Sequence, residues 1–154
     1  MRKLNLPAYE FRYRTEGEDL MVLDIYRKRF VRLTPEEEVR QRFARYLVEE
    51  KGYPASLLMT EYSLKVNKLS RRCDILVHKP AGHPVLLVEC KAPEVKITQA
   101  SFDQVARYNL AFRLHYLMVT NGLKHYCCRL DFETEKITFL TEIPAYEDLI
   151  SIKH

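Results

Sequence analysis

An acid and a base stand two residues apart where an aliphatic run ends, in the sequence VLLVECKAP at positions 85–93. The aliphatic part predicts a strand that is buried on both faces, where an ionised side chain is costly unless it is paired or binds a metal. Side chains two apart on a strand project from the same face, so Glu89 and Lys91 are expected to point together. Asp74 lies in the preceding apolar segment. If an even-numbered loop joins the two strands, Asp74 falls on the face of Glu89 and Lys91, whereas an odd-numbered loop puts it on the other face.

Two carboxylates on neighbouring strands repel each other, and a bound cation is the natural resolution. Hard oxygen ligands select Mg²⁺, for which Mn²⁺ can substitute, over Zn²⁺. We therefore predict that Asp74 and Glu89 bind this ion, with the backbone carbonyl of Cys90 as a third oxygen. Lys91 is expected to orient an attacking water and to stabilise charge on a phosphate. The alternative is a plain ion pair between Lys91 and Glu89 at a sheet edge.

The Glu-x-Lys pattern is not diagnostic by itself, because the chain contains it three times. The copy at 49–51 ends a charged helix, and the copy at 94–96 follows Pro93 in a polar loop. Only the copy at 89–91 terminates a buried strand, so its position and not its composition makes it a candidate site.

The first predicted helix supplies a further acid. Thr34 is a good N-cap with Glu37 completing a capping box, and Gly52 ends the helix. A turn of 100° per residue puts Glu36 on the apolar face of this helix, while Glu38 turns outward. Glu36 is therefore a candidate metal ligand, and the alternative is an exposed acid that complements the helix dipole.

The second predicted helix spans residues 98–114 and carries a polar pair off its apolar stripe. Gln104 and Tyr108 are four residues apart and could contact a phosphate or a base. Arg71 and Arg72, which precede Asp74, are predicted to contact nucleic acid as well. The alternative for the helical pair is a solvated helix face.

The remaining segments predict a mixed α/β protein with helices on both sides of one sheet. The predicted strand regions are 20–33 (a hairpin or two short strands), 56–69, 73–79, 83–91, 116–122 and 125–143 (a hairpin), and residues 144–150 predict a short final helix. The chain contains no internal repeat or Pro/Gly-rich linker, so we expect residues 1–154 to form one domain.

Composition narrows the class of protein. The chain has 154 residues, of which 47% are hydrophobic and 30% charged, and a net charge of only +4, so charge totals alone do not indicate nucleic-acid binding. No apolar run approaches the roughly 20 residues that cross a bilayer, so no membrane association is expected. The four cysteines predict reduced, buried thiols in a cytoplasmic protein. A zinc site formed by His125, Cys127 and Cys128 is disfavoured because adjacent strand residues face opposite ways.

Asp74, the fifteen-residue step to Glu89, Lys91 and the sequence QVARY at 104–108 together resemble the PD-(D/E)xK nuclease superfamily, in its branch with a Gln-x-x-x-Tyr motif. The wider sequence, over about residues 20–143, is similar to the N-terminal nuclease domain of type I restriction enzyme R subunits. Its most similar stretches are LTPEEEVRQRFARYLVEEKGYP, VECKAPEVKITQASFDQVARYN and VTNGLKHYCC.

The resemblance implies a restriction-endonuclease-like three-layer fold, with a central mixed sheet flanked by helices, and Mg²⁺-dependent endonucleolytic cleavage of DNA. It implies that Asp74 and Glu89 are metal ligands, that Lys91 is the catalytic lysine and that Gln104 and Tyr108 support them. The acid of the first helix would match Glu36 or Glu37, and the helical-face argument favours Glu36.

Two departures limit what the resemblance implies. Cys73 replaces the proline that precedes the aspartate, and the chain has no Gly-x-x-x-x-Gly-Lys-Ser/Thr phosphate loop, so no ATP site or motor domain is expected in it. The resemblance leaves three alternatives open: the domain acts alone, as a homodimer, or with restriction-modification subunits in trans. The alternative function is a catalytically silent module for DNA binding or assembly on the same fold.

Overall fold

The computed structural model describes residues 3–151, which form two β-sheets and three α-helices. The strands are β1 (Tyr13–Glu16), β2 (Asp19–Asp24), β3 (Arg29–Arg32), β4 (Leu58–Val66), β5 (Leu69–His78), β6 (Pro84–Cys90), β7 (Tyr116–Thr120), β8 (His125–Asp131) and β9 (Lys136–Leu140). The helices are α1 (Pro35–Lys51), α2 (Gln99–Asn109) and α3 (Tyr146–Ser151). The predicted order of helix, three strands, helix and further strands is confirmed.

The main sheet has six strands in the order β4-β5-β6-β7-β8-β9. The β6–β7 pair is parallel, because α2 carries the chain from the end of β6 back to the start of β7. The other four pairs of this sheet are antiparallel. The sheet is therefore mixed, as predicted.

The hydrophobic core lies on both faces of the main sheet. Val39 and Phe43 of α1 pack in a core cluster on one face, and Phe102 and Ala106 of α2 pack in a cluster on the other. All five residues of β7 are buried, which is typical of a strand covered on both sides. The predicted three-layer α/β architecture is confirmed.

Helix α1 begins and ends as the sequence predicts, but its first turn differs in detail. The Thr34 hydroxyl accepts a 3.0 Å hydrogen bond from the backbone N–H of Glu37, and Gly52 ends the helix with a left-handed φ of 72°. The capping box is not completed, because the Glu37 carboxylate binds Arg40 and Gln41 instead.

Helix α2 is shorter than the predicted span of 98–114. It runs over Gln99–Asn109 with Thr98 as N-cap, and a 3₁₀ turn over Leu110–Phe112 follows it. Arg113 then adopts a left-handed φ of 56°, which turns the chain towards β7. At this end the buried side chain of Asn109 donates a 2.8 Å hydrogen bond to the carbonyl of Val105, a local bond that competes with the helical pattern.

Strands β1, β2 and β3 form a small antiparallel sheet whose strands pair only with one another. The predicted hairpin at 20–33 forms β2 and β3, and β1 adds a strand that the sequence did not suggest. The four cysteines are buried and free of disulfide bonds, as predicted. No helix within residues 3–151 has both the length and the apolar character that crossing a membrane requires.

Candidate active site

Strands β5 and β6 bring the two predicted carboxylates to neighbouring positions. The β5–β6 register places Asp74 opposite Glu89, one step beyond the last paired residues. The Asp74 Oδ2 atom accepts a 2.7 Å hydrogen bond from the backbone N–H of Cys90. Asp74 therefore contacts the residue that lies between Glu89 and Lys91.

The β4–β5 pairing is irregular at Asp74, although the β5–β6 register is the favourable one. Glu61, the β4 residue that faces Asp74, has a left-handed φ of 50° and interrupts the β4–β5 pairing. Cys73 and Ile75 pack in opposite core clusters, whereas residues two apart on a regular strand share a face. At this irregularity the Asp74 carboxylate contacts the backbone N–H of Cys90 on β6 and Arg40 of helix α1. That Asp74 and Glu89 bind one ion stays a prediction.

Arg40 of α1 lies at the centre of an acidic group that we call the Arg40 cluster. Its Nη2 atom is 2.8 Å from Asp74 Oδ1, 2.7 Å from Glu61 Oε1 and 3.5 Å from Glu36 Oε1, and its Nη1 atom donates to Glu37. The Arg40 side chain is only 7% exposed. Burial acts to lower the pKa of Arg40, but the hydrogen bond to Asp74 and the charges of Glu37 and Asp74 outweigh it and raise that pKa.

The Arg40 cluster continues into the small sheet. Arg27 donates a 2.9 Å hydrogen bond to Glu37 and also binds the fully buried carboxylate of Asp24. Thr60 of β4 donates a 2.9 Å hydrogen bond to Asp24. Burial acts to raise the pKa of Asp24, but the hydrogen bonds from Arg27 and Thr60 outweigh it and hold that pKa below its usual 3.8. This chain of contacts ties the small sheet to α1 and the main sheet.

Glu89 is held by a second, smaller group, the Arg71 cluster. Arg71 Nη2 is 2.8 Å from Glu89 Oε1, and Arg71 Nη1 donates a 2.6 Å hydrogen bond to the side chain of Asn109 on α2. The Arg71 guanidinium carbon is 6.0 Å from the ring centroid of Tyr108. The other carboxylate oxygen of Glu89 is 3.7 Å from Lys91 Nζ, so Glu89 and Lys91 lie together as predicted.

Solvent reaches this second group. The Lys91 side chain is 43% exposed, and a cleft of about 120 Å³ opens beside it. The cleft is lined by Glu89, Lys91, Val95, Lys96, Ile97, Ser101, Phe102, Val105 and Val119. A phosphate-sized group can therefore approach Glu89 and Lys91 from the α2 side.

Glu36 and Glu37, two acids of the first helical turn, lie in different environments. Glu37 is buried, whereas the Glu36 side chain is 47% exposed, so the prediction that Glu36 lies on the buried face is wrong. The buried face of α1 begins one residue later because Glu37, and not Glu36, points at Arg40 and the sheet. The pKa of Glu36 is nevertheless raised, by partial burial and by the charge of Asp74, against the opposing effects of Arg40 and Lys91. Glu36 thus lies within electrostatic reach of both Asp74 and Lys91.

The other predicted residues lie around these clusters. Gln104 and Tyr108 are exposed on α2, and Arg72 is exposed with its Nε atom 3.0 Å from Glu61. The Arg71 side chain is only 15% exposed because it is engaged with Glu89 and Asn109. Its predicted contact with nucleic acid, like those of the other three, stays a prediction.

Sequence reasoning missed Arg40 and the internal role of Arg71. A signal for Arg40 existed, because Arg40 precedes the buried Ala44 and Leu47 by four and seven residues and so shares their helical face. No comparable local signal marks Arg71, whose partners Glu89 and Asn109 come from β6 and α2. Within residues 3–151, no group of three or more His, Cys, Asp or Glu side chains is placed to hold a metal ion.

Comparisons with known proteins add the family and the fold. A family model for the type I restriction enzyme R protein N terminus (HSDR_N) matches residues 35–144. No curated protein matches the chain. A solved fragment described as belonging to an HsdR subunit of a type I restriction enzyme from Vibrio vulnificus YJ016 is similar in fold, with a TM-score of 0.53 and 20% sequence identity. The similarity covers 77% of this chain and 25% of the Vibrio chain, so this chain spans about a quarter of that protein's length.

Proposed function

The chain belongs to the type I restriction enzyme R protein N-terminus family, and from that premise we propose that it is a metal-dependent DNA endonuclease domain that hydrolyses phosphodiester bonds. One observation carries the proposal. Asp74 accepts a 2.7 Å hydrogen bond from the N–H of Cys90, the residue between Glu89 and Lys91. Asp74 therefore contacts the peptide that joins Glu89 to Lys91, and Glu89 and Lys91 line a cleft.

The side chains present suit Mg²⁺, with Mn²⁺ as a substitute. Mg²⁺ is usually bound by one or two carboxylates, and water and substrate phosphate complete its coordination, so a cage of three protein acids is not required. An ionised carboxylate has about four acceptor positions. Asp74 uses part of this capacity for Arg40 and Cys90, and Glu89 uses part for Arg71. Asp74, Glu89 and the carbonyl of Cys90 would hold the ion, which when bound would stabilise negative charge on the phosphate and lower the pKa of a coordinated water.

Lys91 would act on the phosphate itself. Its ammonium is 3.7 Å from Glu89 Oε2 and reaches the cleft, so Glu89 restrains it without burying it. In this position Lys91 can orient the attacking water and stabilise the charge that develops on the phosphate oxygens. Tyr108 and Gln104, on the exposed side of α2, would contact the DNA next to the cleaved bond.

Arg40 and Arg71 would compensate the carboxylate charges. Both arginines are largely buried, at 7% and 15% side-chain exposure, and each contacts one of the two carboxylates. Each one restrains the rotamer of its carboxylate, which preorganises the site. DNA is the proposed substrate, and restriction-modification subunits in trans are the proposed partners.

A plasmid-nicking assay with Mg²⁺ or Mn²⁺ tests the activity. We expect the wild-type domain to nick supercoiled DNA, and Lys91→Ala to reduce the rate by about 10²–10³-fold, the usual cost of losing one group that stabilises developing charge. Lys51→Ala is the matched control, because Lys51 ends another Glu-x-Lys sequence far from the site. Its nicking rate should equal that of wild type.

Calorimetric titration with Mn²⁺ tests the metal site without relying on activity. Glu89→Gln should weaken Mn²⁺ binding, while Glu49→Gln, in the control sequence, should not. A wild-type domain that binds DNA but takes up no Mn²⁺ would support the catalytically silent module instead. Equal nicking by wild type and Lys91→Ala would defeat the assignment of the lysine.

A further inference from the structure

A second groove lies on the α2 side of the main sheet and shares no lining residue with the cleft beside Glu89. It has a volume of about 430 Å³, within the range of roughly 300–1,000 Å³ typical of ligand pockets. Its walls come from β4, the β5–β6 turn and the segment between α2 and β7. They consist of Leu64, Lys65, Val66, Lys79, His83, Pro84, Phe112, Arg113, Leu114 and His115.

The polar part of this wall is basic. Lys65, Lys79 and Arg113 carry positive charge, His83 and His115 add imidazoles, and none of the lining residues in the described part of the chain is acidic. Partial burial and the charge of Lys79 lower the pKa of His115, against an opposing effect of Asp131. Since the whole chain carries only +4, such a concentration of cations is a local feature and not a consequence of composition.

The groove adjoins the proposed active site through one arginine. Its wall residue Phe112 has its ring centroid 5.9 Å from the Arg71 guanidinium carbon, and Arg71 Nη2 is 2.8 Å from Glu89. The Tyr108 ring borders both, 5.9 Å from the Phe112 ring and 6.0 Å from the Arg71 guanidinium carbon. An extended polymer that reaches Lys91 over the exposed face of Tyr108 would thus meet the groove next.

We propose that this basic groove binds backbone phosphates of the DNA strand on one side of the bond that is cut. The proposal rests on the proposed function and adds to it a surface outside the Asp74–Lys91 site. Lysine and arginine contacts to phosphate supply affinity that does not depend on sequence. Leu64, Phe112 and Leu114 form an apolar floor against which deoxyribose can pack.

Fluorescence anisotropy with a duplex of about 20 base pairs, in EDTA so that no cleavage occurs, tests the groove. The variant is Lys65→Glu/Lys79→Glu, and the matched control is Lys124→Glu/Lys136→Glu, which changes net charge equally at two exposed lysines outside the groove. Loss of two phosphate contacts should weaken binding by about ten- to one-hundredfold near 0.1 M salt and lower the slope of log K against log salt by about two. The control should change both quantities much less.

Equal losses in the two double variants would overturn the proposal, because they would show an effect of net charge alone. Unchanged binding in Lys65→Glu/Lys79→Glu would overturn it as well, provided that urea unfolding shows an intact fold. If Lys79→Glu proves unstable, Lys65→Glu alone serves, since Lys65 is exposed, with Lys124→Glu as its control. Failure of nicking in Mg²⁺ with the binding difference retained would refute the proposed nuclease activity and leave the groove as a DNA-binding surface.

Discussion

Two arginines each hold one of the carboxylates at the junction of β5 and β6, but they do so in different surroundings. Arg40 contacts four acids that come from α1, β4 and β5, and its side chain is 7% exposed. Arg71 contacts one acid and one amide, is 15% exposed and lies under the exposed ring of Tyr108. The Arg40 cluster extends inwards to the small sheet, whereas the Arg71 cluster borders the cleft.

This difference separates two tasks that one active site requires. The Arg40 cluster crosslinks four parts of the chain, so its disruption should be felt mainly as a loss of folding free energy. The Arg71 cluster contacts Glu89, whose other oxygen faces Lys91 and the solvent-accessible cleft. Its residues should therefore affect the site more than the fold. Asp74 belongs to the first group and Glu89 to the second, so the proposed metal ligands link a rigid region to an accessible one.

The largest expected effect is that of Arg40→Met on stability. Removing this buried cation leaves Glu37, Glu61 and Asp74 without their common partner, and such a loss typically costs about 3–5 kcal/mol of unfolding free energy. Urea denaturation followed by circular dichroism measures it. Arg71→Met is the matched comparison, because it removes the same group from the smaller cluster.

Arg71→Met should cost only about 1–2 kcal/mol, since it leaves one buried acceptor, the Asn109 side chain, without its charged donor. Lys91 remains near Glu89 and compensates part of its charge. Similar unfolding free energies for the two variants would show that the clusters are equivalent and would remove the distinction drawn above.

An effect smaller than that of Arg40→Met, with a defined pH dependence, is expected for Asp24→Asn. The pKa of Asp24 is lower in the folded chain than its usual 3.8, so the ionised carboxylate stabilises the fold at pH values above about 4, and this stabilisation is lost as the pH falls through the folded pKa. At neutral pH the variant should be less stable by about 1.5–3 kcal/mol, the range for hydrogen bonds to charged groups.

Urea unfolding of wild type and Asp24→Asn between about pH 3 and pH 7 provides the measurement. The difference between the two proteins should shrink as the pH falls below about 4, because wild type then also carries a neutral side chain at this position. Asp19→Asn is the control, since Asp19 is half exposed and pairs with Arg32 at 3.5 Å. A difference that is constant over this pH range would mean that the pKa of Asp24 is the same in the folded and the unfolded chain.

The sequence allowed the fold and the Glu89–Lys91 pair to be predicted, because both depend on local rules. Thr34 and Thr98 are the N-caps of α1 and α2. The alternation of side chains along β6 places Glu89 on the same face as Lys91 and does not depend on distant residues. The orientation of Asp74 could not be predicted. It depends on a left-handed residue in the neighbouring strand, Glu61, whose effect appears only once β4 and β5 pair.

The arginine partners of Asp74 and Glu89 also could not be predicted from the neighbouring sequence. Arg40 reaches Asp74 across 34 residues, and Arg71 reaches Glu89 across 18. Arginine has a long, flexible side chain, and the local sequence around it does not distinguish a buried arginine from an exposed one. Local rules therefore predict Arg71 as a surface contact, whereas its side chain is 15% exposed and binds Glu89.

The smallest expected effect on stability concerns the acid of the first helical turn. It distinguishes which of two residues would serve the proposed metal site. Glu36→Gln should change the unfolding free energy by less than about 0.5 kcal/mol. The side chain is 47% exposed, and the negative charge of Asp74 repels its own negative charge. It should nevertheless weaken Mn²⁺ binding, since Glu36 lies within electrostatic reach of Asp74 and Lys91.

Glu37→Gln is the matched comparison. It should destabilise the fold by disturbing Arg27 and Arg40 and leave the Mn²⁺ affinity of the folded protein nearly unchanged. The reverse pattern in the calorimetric titration would transfer the role to Glu37 and place the metal inside the Arg40 cluster, which would abolish the division between a structural and an accessible arginine.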